Sequence, residues 1–572
     1  MRSTIVYFCL SLLLYTSSSF AQYRQNVVNK AVLVQNAGAL LPLKRLDKHR
    51  LTVVTPFPAK YAPFVQMLQR YADINSTDFN QYEENTKYSN TIIVAGTSED
   101  LRNDLLLLVK QSLVQKKQVI LVRFEKRATT ASWSPRRLSG NYAELIYPAF
   151  SEEAQHYAAM SVFGGLAITQ GPNKTEQTRL QYGTASSCGF DLAGMMKRID
   201  AIAAEAIRAR ATPGMVVMAV KNGQVILEKG YGTHTYTGAT KTKTSDLFDV
   251  ASISKIAGTT PVIMHLQERD VIQLDNPLSS YLGQVKDPRK KDLTLRSILL
   301  HEAGFTPFIP FYQQLKAGDL VHQPDTAHQV RVAENAYLRN NYYQEVMWPQ
   351  MLRSPVASPG NYVYSDISMY VMKEIAERMT AKPMDAYVQE LLYRPIGMKT
   401  AGYNPRQRFA KERIVPTTDD RVFRKELLQG YVHDEGAAMA GGVAGHAGLF
   451  ATANDLAIYG QLLLNRGDYG GIQYFKPATI DLFTSKQSQT SRRGLGFDRA
   501  DPDPRKAYPS ERANESVYGH TGYTGTCLWI DPKNQLIYIF LSNRVHPQVS
   551  TKLNDLNIRS RIQDIIYSFI CK

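Results

Sequence analysis

The sequence predicts a chain of mixed class, an α/β sandwich domain followed by an α+β domain, and three observations carry that prediction. A length of 572 residues exceeds what one ordinary hydrophobic core organises. Short apolar or β-branched runs at Leu51–Thr55, Thr91–Gly96, Gln118–Phe124 and Leu145–Tyr147 alternate with helix-length segments such as Phe64–Ala72 and Ser98–Val109. That βαβα order is the pattern of a mostly parallel sheet covered by helices. Beyond residue 190, strand-like runs occupy the two ends of the chain and helical patterns fill the middle, which predicts one antiparallel sheet assembled from distant segments.

Residues 1–21 read as a secretory signal peptide. Arg2 precedes the apolar run Ile5–Tyr15, and Ser19-Phe20-Ala21 supplies the small-residue cleavage site. The run is too short for a membrane anchor, and no later stretch reaches transmembrane length. Export is therefore expected, to the periplasm. Residues 25–170 form the α/β domain, 171–189 a linker rich in Gly, Thr and Ser, and 190–572 the second domain. The second domain opens with a helix over Leu192–Arg210. A hairpin follows, Val216–Lys221 and Gln224–Lys229, joined by Asn222-Gly223, the pair a tight type I′ turn requires. Strands return at Cys527–Asp531 and Leu536–Leu541, and an amphipathic segment, Leu553–Ile570, closes the chain.

Hydrophobic content of 44% and charged content of 21% exclude a disordered or fibrous chain. The formal charge of +16 is dispersed over short clusters, Lys116-Lys117, Arg136-Arg137, Arg289-Lys290-Lys291 and Arg492-Arg493. With no nucleic-acid motif beside them they read as solvated basic surface, so no nucleic-acid partner is expected. The spacing of Cys188, Cys527 and Cys571 fits no zinc or redox motif, so neither metal nor organic cofactor is expected.

Three segments carry chemistry. In Val250-Ala-Ser-Ile-Ser-Lys255, positions i and i+3 of a helix share a face, so Lys255 reaches the Ser252 hydroxyl. If Ser252 opens that helix, the N-terminal dipole favours developing alkoxide charge, and a neighbouring amine activates an otherwise weak hydroxyl. Pro261 is expected to kink or shorten the helix. In Pro359-Gly-Asn-Tyr-Val-Tyr-Ser-Asp366, Tyr364 ends a Pro-Gly loop and is positioned to point into a cleft. In Gly519-His-Thr-Gly-Tyr-Thr-Gly525, flanking glycines let a strand backbone approach a substrate, where an N–H can serve as an oxyanion donor.

Together and in this order, the three motifs resemble the serine β-lactamase and penicillin-binding-protein family, most closely its class C β-lactamase and esterase branch. Leu299-Leu-His-Glu-Ala-Gly-Phe305 and Gly445-His-Ala-Gly-Leu-Phe450 extend the resemblance, which runs from about Leu192 to Ile570. It implies an antiparallel sheet flanked by helices, a helical subdomain and an acyl-enzyme on Ser252. Lys255 and Tyr364 then share the proton relay, with the identity of the base open. The backbone N–H groups of Ser252 and Tyr523 form the oxyanion hole, and His520, Thr521 and Gly522 line the strand side of the cleft. Apart from the resemblance, His301, His433 and His446 are expected to be structural, since loop histidines commonly hydrogen-bond backbone.

Two departures bear on substrate. His520 stands where penicillin-processing members carry lysine, and a neutral imidazole attracts a carboxylate less. Asp366, in the substrate-binding set, stands where many lactamases have asparagine, and an ionised carboxylate cannot donate to an amide carbonyl. Esterase and D-amino-acid peptidase chemistry on small or cell-wall-derived ester and amide substrates fits better than efficient β-lactam hydrolysis. A slow-turnover penicillin-binding or sensing protein is the alternative. The first domain, from Lys30–Lys44 to Glu152–Gly165, resembles the C-terminal α/β domain of glycoside hydrolase family 3. That family's catalytic barrel is not found in this sequence, so a glycosidase is the least favoured reading.

Two local expectations remain. The aromatic-rich segment from Thr306 to Gln350 is either a wall or lid over the cleft or a packed insertion. Cys188 precedes the first helix of the second domain and Cys571 follows its last; if those helices pack antiparallel, the two join as a disulfide, leaving Cys527 as a buried strand residue.

Overall fold

The computed structural model describes residues 31–100, 103–125, 140–183 and 191–570. The signal peptide, Cys188, Cys571 and the Arg136-Arg137 pair lie outside the described residues.

The first domain is built on six strands: β1 (Val32–Asn36), β2 (Leu51–Val54), β3 (Ile74–Thr77), β4 (Thr91–Thr97), β5 (Gln118–Phe124) and β6 (Tyr142–Tyr147). Their order is β1-β6-β5-β4-β2-β3, parallel throughout except for antiparallel β1. Along β4, Ile93 and Ala95 face one core while Ile92 and Val94 face another, the period of two that a doubly covered strand requires. The helices longer than two turns are α1 (Ala62–Tyr71), α2 (Asn103–Val114) and α3 (Glu152–Phe163). Ser151 caps α3 by accepting from the Ala154 N–H, and Gly164 ends it at φ 78°, a left-handed conformation in which glycine carries no Cβ penalty.

The connecting segment is docked through buried Arg179, whose Nη1 donates to the carbonyls of Leu43 and Phe163, each at 2.6 Å. Tyr182 donates to Asn454 at 2.7 Å and Arg70 pairs with Glu228 at 2.8 Å, so both domains share one continuous core.

The second domain contains α4 (Leu192–Arg208), β7 (Gly214–Lys221), β8 (Gln224–Gly232), α5 (Thr260–Glu268), α6 (Asp366–Thr380), α7 (Ala453–Leu464), β9 (Asp498–Arg499), β10 (Tyr518–Thr521), β11 (Cys527–Asp531), β12 (Leu536–Ser542) and α8 (Ile558–Ile570). Its sheet has the order β9-β10-β11-β12-β7-β8, antiparallel throughout. Asn222 and Gly223 turn the β7–β8 hairpin with φ of 52° and 73°, the positive pair that their sequence predicts. On one face α4 and α8 bury Met195, Ile199, Ile562 and Ile566 against Val217, Tyr538 and Phe540. These helices run antiparallel: Arg561 pairs with Glu205 at 2.7 Å, and Arg198 lies over the Phe569 ring near the other end. On the opposite face α7 packs so closely that a Cβ on Gly460 would lie 3.0 Å from Ile537. The helical subdomain containing α5 and α6 stands beside that face, and the cleft lies between them.

Two of the basic clusters are not simply solvated surface, as expected from sequence. Lys290 is buried and donates to the Met351 and Leu352 carbonyls at 3.0 and 2.6 Å, and Arg493 is 5% exposed. Each has protein acceptors in place of water, which is the condition for burying a cation. In the 306–350 segment, Phe311, Tyr342 and Trp348 are buried whereas Phe308 is 64% exposed, so the segment is chiefly a packed insertion with one exposed aromatic edge.

Candidate active site

The chain reaches Ser252 through a left-handed step. Ala251 has φ 47°, which costs an L-residue energy that surrounding contacts must offset. Asp249 supplies one by accepting from the Ala251 N–H at 2.9 Å. Thr524 donates to the Asp249 carbonyl at 2.7 Å and Thr526 to the Val250 carbonyl at 3.1 Å. The turn after β10 is thus stitched to Asp249 and Val250, just before the nucleophile candidate, and a Cβ on Gly522 would lie 2.4 Å from the Val250 carbonyl oxygen. Only glycine permits that approach.

The helix begins directly after Ser252. Its second turn, Lys255–Thr259, is π-helical and gives way to α5, with Pro261 in the first turn. Proline has no N–H for the ladder, and the Lys255 carbonyl that closes the wide turn accepts from both the Thr260 N–H and, at 2.7 Å, the Thr260 hydroxyl. This wide turn is the local form taken by the expected kink.

Ser252 Oγ lies 2.9 Å from Lys255 Nζ and 3.0 Å from the Tyr364 hydroxyl. Lys255 is fully buried, and its ammonium donates also to Asp366 Oδ1 at 2.7 Å and to the His446 carbonyl at 3.4 Å. Burial works against this charge, but Asp366 and Tyr364 outweigh it and hold the pKa above the ordinary lysine value. Tyr364 is fixed by its neighbours: its ring lies 4.7 Å from the His301 ring and 6.1 Å from that of His520, with Arg493 5.4 Å from its centroid. His301 Nδ1 accepts from the Ser365 N–H at 3.2 Å, anchoring the loop that presents Tyr364.

On the strand side, His520 is buried, and Arg493 donates to its Nε2 at 3.2 Å. Burial, with Arg493 and Lys255 nearby, pushes its pKa down to about 3, so the imidazole is neutral at pH 7. Thr521 ends β10 half-buried, and Tyr523 is 53% exposed. Among the described residues, the Ser252 and Tyr523 backbone N–H groups donate to no protein acceptor.

A family model described as Beta-lactamase matches residues 199–562, the interval that holds the whole constellation. The chain belongs to the β-lactamase family. As a family member it is a serine hydrolase. The N-acetylmuramyl-L-alanine amidase of Bacillus subtilis (strain 168) is 32% identical over 362 residues, 59% of this chain and 78% of the relative. A protein named "Putative D-alanyl-D-alanine carboxypeptidase" in Escherichia coli (strain K12) is 30% identical over 371 residues, 60% of this chain and 82% of the relative. The solved class C beta lactamase of Rhodobacter sphaeroides shares 18% identity at a TM-score of 0.47, over 66% of this chain and all of that one.

In this β-lactamase-family site, two features escaped the sequence. Asp366 is the ion-pair partner of Lys255, a contact that follows only from α6 beginning beside the π-turn. Arg493, expected on the surface, places a buried guanidinium between His520 and the Tyr362 hydroxyl, which accepts from it at 3.0 Å. That guanidinium also pairs with buried Asp498 at 3.6 Å, so it braces the strand motif and the Tyr362 loop from a different segment of the chain. Cys527, as expected, is a buried strand residue, its thiol pKa pushed up to about 12 by burial.

Proposed function

We propose that the protein is an exported acyl-transfer hydrolase that cleaves amide or ester bonds in cell-wall-derived peptides through an acyl-enzyme on Ser252. The observation that carries this reading is the Ser252 hydroxyl held between Lys255 Nζ at 2.9 Å and the Tyr364 hydroxyl at 3.0 Å. The Lys255 amine and the Tyr364 hydroxyl are the two groups within hydrogen-bonding reach of Ser252 Oγ, and together they form the relay that takes its proton. The proton then returns to the leaving amine or alkoxide as the tetrahedral intermediate collapses. The unengaged N–H groups of Ser252 and Tyr523 stabilise the oxyanion. The amidase and carboxypeptidase names of the two relatives support a peptide substrate from the cell wall.

The test is fluorophosphonate and fluorescent-penicillin labelling of the purified protein beside Ser252→Ala, with turnover of a p-nitrophenyl ester, nitrocefin, an N-acetylmuramyl-L-alanine peptide and a D-alanyl-D-alanine peptide. Labelling and turnover of at least one peptide are expected, with activity lost by about 1,000-fold or more in the variant. Turnover that survives in Ser252→Ala overturns the reading, and labelling with no turnover of any substrate turns it toward a penicillin sensor.

A further inference from the structure

Asp366 also lines a cavity of about 220 Å³ that neither Ser252 nor Lys255 lines. Its wall holds two more carboxylates, Asp434 and Glu435, and the buried imidazole of His446. One donor atom each of Asp366, Asp434 and His446 lies within 4.8 Å of the others. Asp434 Oδ1 accepts from His446 Nε2 at 2.9 Å and from the Ala437 N–H at 2.7 Å. Burial opposes charge on Asp434, but His446 and these hydrogen bonds prevail and hold its carboxyl far below the ordinary range. Glu435 has no cation within ion-pair distance among the described residues.

A second observation points to a ligand. Tyr370 is 3% exposed, and among the described residues its hydroxyl has no hydrogen-bond partner. It sits on the cavity wall, where a Cβ on Gly436 would come within 2.6 Å of it. A buried hydroxyl left without a partner costs free energy that a bound group recovers. Exposed Phe308, with Phe311 and Tyr312, also lines this cavity. Excess carboxylate oxygens, an unused hydroxyl acceptor and aromatic faces are what a primary ammonium requires: three N–H donors, a positive charge and a π-surface. A divalent cation suits the site less well, because Lys255 already pairs with Asp366 and His446 already donates to Asp434.

We propose that this cavity is an ammonium subsite, selecting substrates that carry a protonated amine within one residue of the bond cleaved at Ser252; the assignment rests on Ser252 being the nucleophile. Asp366 links the two, 2.7 Å from Lys255 on one side and part of the cavity wall on the other.

The experiment compares kcat/KM for D- and L-alanine p-nitroanilide with their N-acetyl derivatives, in the native protein, Glu435→Gln and Asp434→Asn. Asparagine keeps the acceptor that caps Ala437, which guards against misfolding. A preference of about tenfold or more for the free amine of at least one enantiomer is expected. It should collapse in both variants through KM, and should fade as pH rises through the amine's own pKa. Equal rates for free and acetylated substrates overturn the subsite. Turnover of p-nitrophenyl acetate, a neutral ester, is measured alongside, so that its absence marks failure of the Ser252 reading. Calorimetry of alanine amide, and of zinc or manganese chloride alone, on Ser252→Ala decides the subsite independently of turnover. Amine binding that Glu435→Gln weakens supports it, whereas metal binding without amine binding replaces it with a metal site.

Discussion

At Lys255, burial and charge pull in opposite directions, and the balance sets the chemistry of the site. Burial disfavours the ammonium, while the Asp366 carboxylate and Tyr364 restore it and carry the pKa above the ordinary lysine value. Asp366→Asn keeps an acceptor oxygen and deletes the charge, so the burial effect goes largely unopposed and the lysine pKa falls. The alkaline limb of the kcat/KM profile should move to lower pH, with activity near pH 8 down on the order of tenfold. An unmoved limb would show that Asp366 does not govern the Lys255 charge. Ser252 and Lys255 were legible in the sequence because an i, i+3 pair needs only a helix to meet. Tyr364, 112 positions from Ser252, was reachable only through the resemblance. Arg493 was not legible at all: a basic pair between Ser491 and Gly494 looks like surface, and only the fold of that loop turns one guanidinium inward.

Elements decide how precisely these side chains are held. The loop 445–449 supports the π-turn: the Gly445 carbonyl accepts from Thr259 at 2.7 Å, the His446 carbonyl from Lys255, and the Leu449 N–H donates to Ser254 at 3.0 Å. A Cβ at Gly445 would lie 1.9 Å from the Met369 carbonyl oxygen on α6, and backbone cannot yield as a side chain can. Gly445→Ala should therefore cost about 2 kcal/mol or more of stability. It should also lower kcat more than a distant substitution of equal stability cost; unchanged kcat and Tm would show that the loop adapts. The antiparallel α4–α8 pair satisfies the condition on which the Cys188–Cys571 disulfide was expected. Thiol titration of the denatured, unreduced segment 22–572 is predicted to find Cys527 alone, and detection of three thiols in it refutes the bond. The central strands were legible from their apolar runs. Edge strand β3, Ile74-Asn-Ser-Thr77, was not, because a strand with one partner and exposed polar side chains lacks the alternation that marks a covered one.

Across the whole molecule, buried histidines couple stability to pH. Burial, the largest cause in each case, lowers His520 to about 3, His433 to about 4 and His301 well below its ordinary value. In the unfolded chain each takes up a proton near pH 6.5, which the native state refuses. Between pH 6.5 and 4 the unfolded state therefore binds more protons, and stability falls as pH falls. Asp249 acts the other way. Its carboxyl, raised by burial to about 6, is protonated in the native state over a range where the unfolded group is ionised, so it adds stability as pH drops below 6. Three large histidine shifts outweigh that one, and their effect begins at higher pH. The melting temperature should thus drop by about 5 °C or more between pH 7.5 and 4.5. His520→Gln removes one of the three groups and should reduce the drop, since glutamine does not titrate. A melting temperature that is flat or rises toward pH 4.5 would mean that protonation of the buried carboxyls, with Asp249 foremost, dominates the balance.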